Sequence, residues 1–363
     1  MRRIISLPGK FIVGGGELYN LSEFIKLFGN SALLVTLKED AKRVAAQLGK
    51  TVENGISLYD TDFGGECTYA EAARIGGICD EKGCDCIVGL GGGKAIDTAK
   101  CVSLAKKLPL LVAPTIASTD APCSALIIMY DENHVMIGSQ KMPINPAVVL
   151  CDSEVIAKAP VRFLVAGLGD AFATYYEARA CIRTNSQNYV GGVSTKAAWA
   201  LAGLCRETLL EDSVKAIEAC KANVVSPALE NIIEANLLLS GLGFECVGCG
   251  AAHNIHNALT ILPETHSAMH GEKVAIGLLA QLIMENVPSD EFRLALKYYR
   301  SVGLPTKVSD IGISDENLDE KLMMVAKATV SKATGPIFNH EFEVNEDVVF
   351  SALKIVDNLN NIF

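Results

Sequence analysis

Four of the chain's six histidines fall in one short window: His253, His256, His266 and His270. His253 and His256 are three residues apart, His266 and His270 four apart, so on a helix each pair shares one face. Histidine is the commonest metal ligand and the side chain that titrates nearest neutral pH. The window can therefore hold a metal or move a proton. As ordinary residues these would be polar groups in turns or satisfied core imidazoles, a reading that suits one histidine better than four together. Well upstream, Gly167-Leu-Gly169-Asp170 leads into an apolar stretch over 171–180. Asp after glycine suits a helix N-cap, and an exposed helix start also suits a metal carboxylate. Asp170 with two of the clustered histidines would give three ligands and open positions, the pattern of a catalytic rather than a structural metal. Cys246-Val-Gly-Cys249 has zinc-ligand spacing, but no second closely spaced pair completes it.

A second chemical feature is Gly89-Leu-Gly91-Gly92-Gly93-Lys94-Ala95-Ile96-Asp97, which follows an apolar strand and opens a helix. Glycines let backbone N–H groups approach a phosphate, and the helix N-terminus adds positive potential. The loop is neither the Rossmann G-x-G-x-x-G nor a P-loop. The next strand end delivers Pro114-Thr115-Ile-Ala-Ser118-Thr119-Asp120-Ala-Pro122-Cys-Ser124, a stiff polar loop that would wall the same site.

Both features need elements to position them. Short apolar runs at 31–36, 56–59, 86–90, 108–113 and 147–151 alternate with helical patterns at 40–48, 69–81 and 94–105. That alternation predicts βαβ units and a parallel sheet, with ligands at the carboxyl ends of its strands. Residues 125–130 and 134–138 flank Asp131-Glu-Asn133 as a hairpin. Beyond Ile156 the strand pattern stops and helical stretches follow at 165–180, 194–210 and 232–244. The fold class is thus an α/β dinucleotide-binding domain over 1–157 and an all-α domain over 158–363.

The 363 residues are half apolar and one fifth charged, with a net charge of −10, which disfavours nucleic acid and anionic membranes as partners. No apolar run is long enough to span a bilayer, and the N-terminus lacks the pattern of a signal peptide. The twelve cysteines are scattered, several among apolar neighbours, as expected of small buried hydrophobes in a reducing cytoplasm.

With these pieces placed, the chain resembles the glycerol dehydrogenases of the metal-dependent alcohol dehydrogenase superfamily, called iron-containing or group III. The resemblance runs through most of its length. It is carried by Phe63-Gly-Gly-Glu-Cys67, the loop from Gly89 to Lys94 with Asp97, and the segment from Pro114 to Leu126. Gly167-Leu-Gly-Asp170, Tyr176-Glu-Ala-Arg-Ala-Cys181, Ile233-Glu-Ala-Asn236, Ala252-His-Asn-Ile-His-Asn257 and His270-Gly-Glu-Lys-Val-Ala275 carry it further. The resemblance implies the dehydroquinate-synthase-like fold of that superfamily and a metal, zinc or iron, held by Asp170, His253 and His270. It places the pyrophosphate of NAD on Gly92, Gly93, Lys94, Ala95, Ile96 and Asp97. Thr115 and Ser118 fall near the adenosine, while Ser124, Leu126 and Tyr130 line the nicotinamide. Asp120 lies beside a small polyol, with His256 and His266 near the metal but not ligating it; His256 or a chain of waters would carry the proton away. It also implies a homo-oligomer, often an octamer, and oxidation of glycerol to dihydroxyacetone.

The chain departs from the family at Val35-Thr36-Leu37-Lys38, where an acidic residue usually meets the adenosine ribose; Lys38 there would favour the 2′-phosphate of NADP. It departs also at Pro336-Ile-Phe338-Asn339, and at Cys246 and Cys249. The rivals are a dehydrogenase or reductase for glycerol 1-phosphate or another small hydroxy-carbonyl compound, and a dehydroquinate-synthase-like lyase. A phosphorylated substrate needs cations at the metal site, and Lys273 alone lies close in sequence. A metal- and nucleotide-binding protein without activity is disfavoured by the presence of all three ligands.

Overall fold

Eight strands lie among the described residues: β1 (Phe11–Gly14), β2 (Ser31–Val35), β3 (Ser57–Asp60), β4 (Cys86–Gly91), β5 (Leu110–Pro114), β6 (Leu126–Tyr130), β7 (Met136–Lys141) and β8 (Val148–Asp152). This is a computed structural model, and it describes residues 1–132, 136–331 and 336–359. Six strands form one parallel sheet in the order β1-β8-β5-β4-β2-β3. β4, β5 and β8 are buried along their whole length, as befits central strands covered on both faces, which is why each reads as an unbroken apolar run. Their side chains, with Leu21, Ile25, Leu34 and Val44, make one core, in which each fully buried Leu, Ile or Val stabilises the fold by about 1.5–3 kcal/mol.

Among the helices that follow strand ends in this unit are α1 (Lys38–Arg43), α2 (Tyr69–Lys82) and α3 (Gly93–Lys106). Thr68 caps α2 by accepting the Glu71 N–H at 3.1 Å, and Gly83 ends it with φ 62°, the expected start and stop. The hairpin is present as the antiparallel pair β6–β7; the last expected turn residue, Asn133, and the expected start of the second strand at 134–135 lie outside the described residues.

Two compact units are formed. One comprises Ser6–Phe163 and Glu218–Gly241, the other Met1–Ile5, Leu164–Ile217 and Leu242–Phe363. A single cut after residue 157 does not describe them. Glu218–Gly241 returns to the sheet-bearing unit, where the Cys220 thiol meets the Ala157 carbonyl and Glu230 accepts from Ser153 Oγ at 2.9 Å. The second unit is helical, as expected, apart from an isolated bridge between Arg3 and Val193. The helices that matter there are α4 (Val161–Thr184), α5 (Ala251–Leu259) and α6 (His270–Met284). β1 was not expected from the sequence because it is a four-residue edge strand that ends on Gly14 and is followed by two more glycines, too short to show a period.

Candidate metal centre and nucleotide-binding edge

Asp170 does not start a helix. It lies inside α4, as the tenth residue of the helix, and is 1% exposed. Neither the N-cap role nor an exposed helix start applies. α4 and α6 come together here because glycine lines both sides. A Cβ on Gly271 would stand 1.7 Å from the Ala166 carbonyl oxygen, and one on Gly169 would stand 2.4 Å from the Gly271 oxygen. That closeness brings His270, at the first position of α6, to Asp170. His270 Nε2 and His253 Nε2 each lie 3.2 Å from Asp170 Oδ1, and ligand atoms of the three residues fall within 4.8 Å of one another.

The donor set fits a metal: one carboxylate and two imidazoles from three helices, converging on one point. Burial pushes the Asp170 pKa up, but the His270 and His253 imidazoles outweigh it and hold the carboxyl well below its ordinary range. His253 is turned to the site by Glu177, whose Oε2 lies 2.6 Å from its Nδ1. A carboxylate on the far nitrogen of a ligating histidine fixes tautomer and ring orientation. His256 stands edge-on to His270 with ring centroids 4.1 Å apart. Burial, then the neighbouring imidazoles, hold its pKa well below that of a free histidine. His266, expected nearby, does not join them: its ring is exposed and donates to the Thr260 carbonyl at 3.1 Å.

The glycine loop closes β4 and opens α3 in the sheet-bearing unit. Gly92 is the N-cap, and a Cβ there would meet Ile116 at 3.1 Å. The N–H groups of Gly93, Lys94 and Ala95 occupy the first helical turn, which has no internal acceptors for them. The Ile96 N–H is already bonded to the Gly92 carbonyl. Lys94 Nζ is held by Glu66 at 2.6 Å and sits over the Tyr130 ring, whose hydroxyl burial pushes up to about 12.

Asp97 is not a loop ligand. It is buried, with Oδ1 on Lys100 Nζ at 3.0 Å and Oδ2 accepting the Ile128 N–H at 3.1 Å, so the expectation that it meets the pyrophosphate gives way to a structural role. Lys100, fully buried, also donates to the Ala121 and Leu126 carbonyls at 2.7 Å, tying α3 to the strip that carries Ser124 and Leu126. Thr115 is buried with its hydroxyl on Asp40 Oδ1 at 2.9 Å, and Ser118 is half-buried in the same loop. Asp120 accepts from Ser240 Oγ at 3.0 Å, and Asn236 Nδ2 donates to the Ala117 carbonyl at 3.0 Å. Asn236 lies in, and Ser240 directly follows, a π-helical turn, Ala235–Leu239, a distortion common at functional sites.

Residues 8–153 match the family model described as iron-containing alcohol dehydrogenase. The glycerol dehydrogenase of Thermotoga maritima is 45% identical over 96% of this chain and 95% of its own length. That of Citrobacter freundii is 43% identical over 98% of each. The crystal structure of a probable glycerol dehydrogenase from Sinorhizobium meliloti 1021 matches with a TM-score of 0.93 at 41% identity, covering 99% of both chains. The chain belongs to the iron-containing alcohol dehydrogenase family.

It is an oxidoreductase acting on CH–OH groups, in a family that uses a divalent metal and NAD(P). The site contains more than the sequence reading named. Glu177, Gln281, His340, Asp40, Glu66 and Lys100 all hold expected site residues or the elements that carry them. Glu177 had a legible signal: it follows Asp170 by seven positions, two helical turns, on an otherwise apolar helix face. Cys246 is buried in an apolar cluster with Cys181. Cys249 lies close enough to Glu177 and His253 to form a second candidate ligand group. All twelve cysteines are buried thiols. No single helix among the described residues is long and apolar enough to cross a membrane.

Proposed function

We propose that this chain oxidises glycerol to dihydroxyacetone with NAD at a zinc or ferrous centre held by Asp170, His253 and His270. The observation that carries the reading is the convergence of those three side chains in a chain that matches glycerol dehydrogenases over nearly its full length. When bound, the metal supplies Lewis acidity that lowers the pKa of a substrate hydroxyl, and the nicotinamide accepts the hydride. Three protein ligands leave room for two vicinal hydroxyls. Asp170 contributes the negative charge, and Glu177 keeps the Nε2 lone pair of His253 aimed inward. His256 is kept neutral by its surroundings, so it can pass a proton on without retaining it. Asp120, held by Ser240, is assigned to a polyol hydroxyl.

A phosphorylated substrate is disfavoured by the state of Lys273. It is buried, its ammonium faces the Thr265 carbonyl at 3.4 Å, and burial lowers its pKa. The same observation counts against a dehydroquinate-synthase-like lyase. The test is reduction of NAD and NADP with glycerol, 1,2-propanediol and glycerol 1-phosphate, before and after chelation. Glycerol turnover abolished by chelator and restored by zinc or ferrous ion is expected; activity confined to the phosphate ester would overturn the reading.

NAD in preference to NADP is supported by Asp40, which replaces the acidic group missing at Leu37. The chain turns from β2 outward to β3 and back across to β4, so the switch point of the sheet lies between β2 and β4, where such folds bind ligands. Asp40 stands there. A Cβ on Gly91, at the end of β4, would lie 3.2 Å from its Oδ2. Lys38 is paired with Asp62 at 2.8 Å, and Arg43 is spent on Asp40 and the Val155 carbonyl. A carboxylate suits ribose hydroxyls and repels a 2′-phosphate. Asp40→Asn is expected to lower the preference for NADH over NADPH by about ten- to a hundredfold, the worth of one charged hydrogen bond. Fluorescence titration of both nucleotides measures it, and an unchanged ratio refutes the assignment. A cytoplasmic homo-oligomer completes the proposal, checked by light scattering on the purified protein.

A further inference from the structure

We infer that Glu177 is a positioning residue of the metal centre, setting metal affinity through His253 without touching the metal. The inference rests on the reading of Asp170, His253 and His270 as metal ligands. Its substance is how one buried carboxylate is used. Oε1 accepts the backbone N–H groups of Gly250 at 2.8 Å and His253 at 3.0 Å, while Oε2 meets His253 Nδ1 at 2.6 Å. The remaining N–H groups at the start of α5 are also taken by side chains. Ala251 donates to His340 Nε2 at 2.9 Å and Ala252 to Gln281 Oε1 at 3.0 Å. His340 can accept there only with its proton on Nδ1, which faces Glu285 Oε1 at 3.2 Å.

A helix start ordinarily leaves these N–H groups to solvent or to an anion. Here three side chains, from α4, α6 and the 340 region, occupy all of them, and Glu177 is the anion. Because the same carboxylate accepts a hydrogen bond from the Nδ1–H of His253, the ring cannot rotate without breaking the helix cap. The Nε2 lone pair stays directed at Asp170. Asp170 and Glu177 lie two turns apart on one face of α4, so a single rigid helix presents one ligand and aims another.

The test is zinc and cobalt binding to metal-free Glu177→Gln, measured by competition with a chromophoric chelator. The amide carbonyl can still accept the two backbone N–H groups, so the cap is kept while the charge on Nδ1 is lost. Metal affinity is expected to fall about 10- to 100-fold, with the metal-free variant melting as the parent does. Glycerol turnover at limiting metal should fall and recover with excess metal. Wild-type affinity in the variant overturns the inference. So does a loss that excess metal does not rescue and that tracks a lower melting temperature, which would make Glu177 a fold residue only. An intense thiolate-to-cobalt band in the parent also overturns it, since the metal would then sit on Glu177, Cys249 and His253. If Glu177→Gln does not fold, Glu177→Asp decides. Its carboxylate is one methylene shorter, so weakened metal binding supports the role and unchanged binding removes it. These affinities do not depend on which alcohol is turned over, and a parent protein that binds no metal would refute the functional reading itself.

Discussion

Asp170→Asn is expected to yield a folded protein that holds no metal through purification and oxidises glycerol about a thousandfold more slowly, the equivalent of some 4 kcal/mol of Lewis-acid assistance. The substitution is nearly isosteric, and the side chain is enclosed by α4 and α6, so packing changes little. What changes is charge. Asp170 is the anion that both imidazoles face, at 3.2 Å each, and a neutral amide offers a divalent cation far less. Elemental analysis and turnover are the measurements. Chelating the parent should reproduce the loss, and chelating the variant should add nothing, because both remove the same interaction. A variant that keeps its metal and its rate would sink the ligand assignment.

The parts of this site that could be read from the sequence are those whose partners are near in sequence or imposed by periodicity. The glycine loop was legible because strand, loop and helix follow one another, and the histidine window because His253 and His270 sit in the first turns of neighbouring α-helices. Partners supplied from far away left no local trace. His340 reaches the start of α5 from 89 positions away, and Ser240 and Asn236 reach the β5 loop only because a segment beyond the second unit's first helices folds back onto the sheet. Asp97 misled for a different reason. Its spacing from the glycines suggested a phosphate loop, but one helical turn past the N-terminus its side chain points inward, and only the buried Lys100 explains it. Asp40 is not at the position where the family usually carries its acidic residue, which in this chain is Leu37. The chain delivers its carboxylate from the first turn of α1 instead.

Lys100→Met should produce the largest loss of stability in the sheet-bearing unit, about 3–5 kcal/mol, the usual cost of removing one partner from a buried ion pair. Methionine fills nearly the same volume, so no cavity forms. The penalty comes from what is left behind: the buried carboxylate of Asp97 and the part-buried carbonyls of Ala121 and Leu126. Burial already holds the Asp97 pKa above the ordinary carboxylate value despite Lys100 and the Ile128 amide, so without its cation that carboxylate has still less reason to be ionised. Replacing both members, in Asp97→Leu with Lys100→Met, removes the stranded charge and should recover part of the loss, since buried pairs are worth little against apolar groups of similar size. Urea unfolding gives the midpoint and slope for parent, single and double variants. A single variant within about 1 kcal/mol of the parent would show that the pair is dispensable. The same variant should weaken NADH binding, because the pair fastens to α3 the strip that bears Ser124 and Leu126. That coupling would make a buried lysine the anchor of the strip proposed to line the nicotinamide.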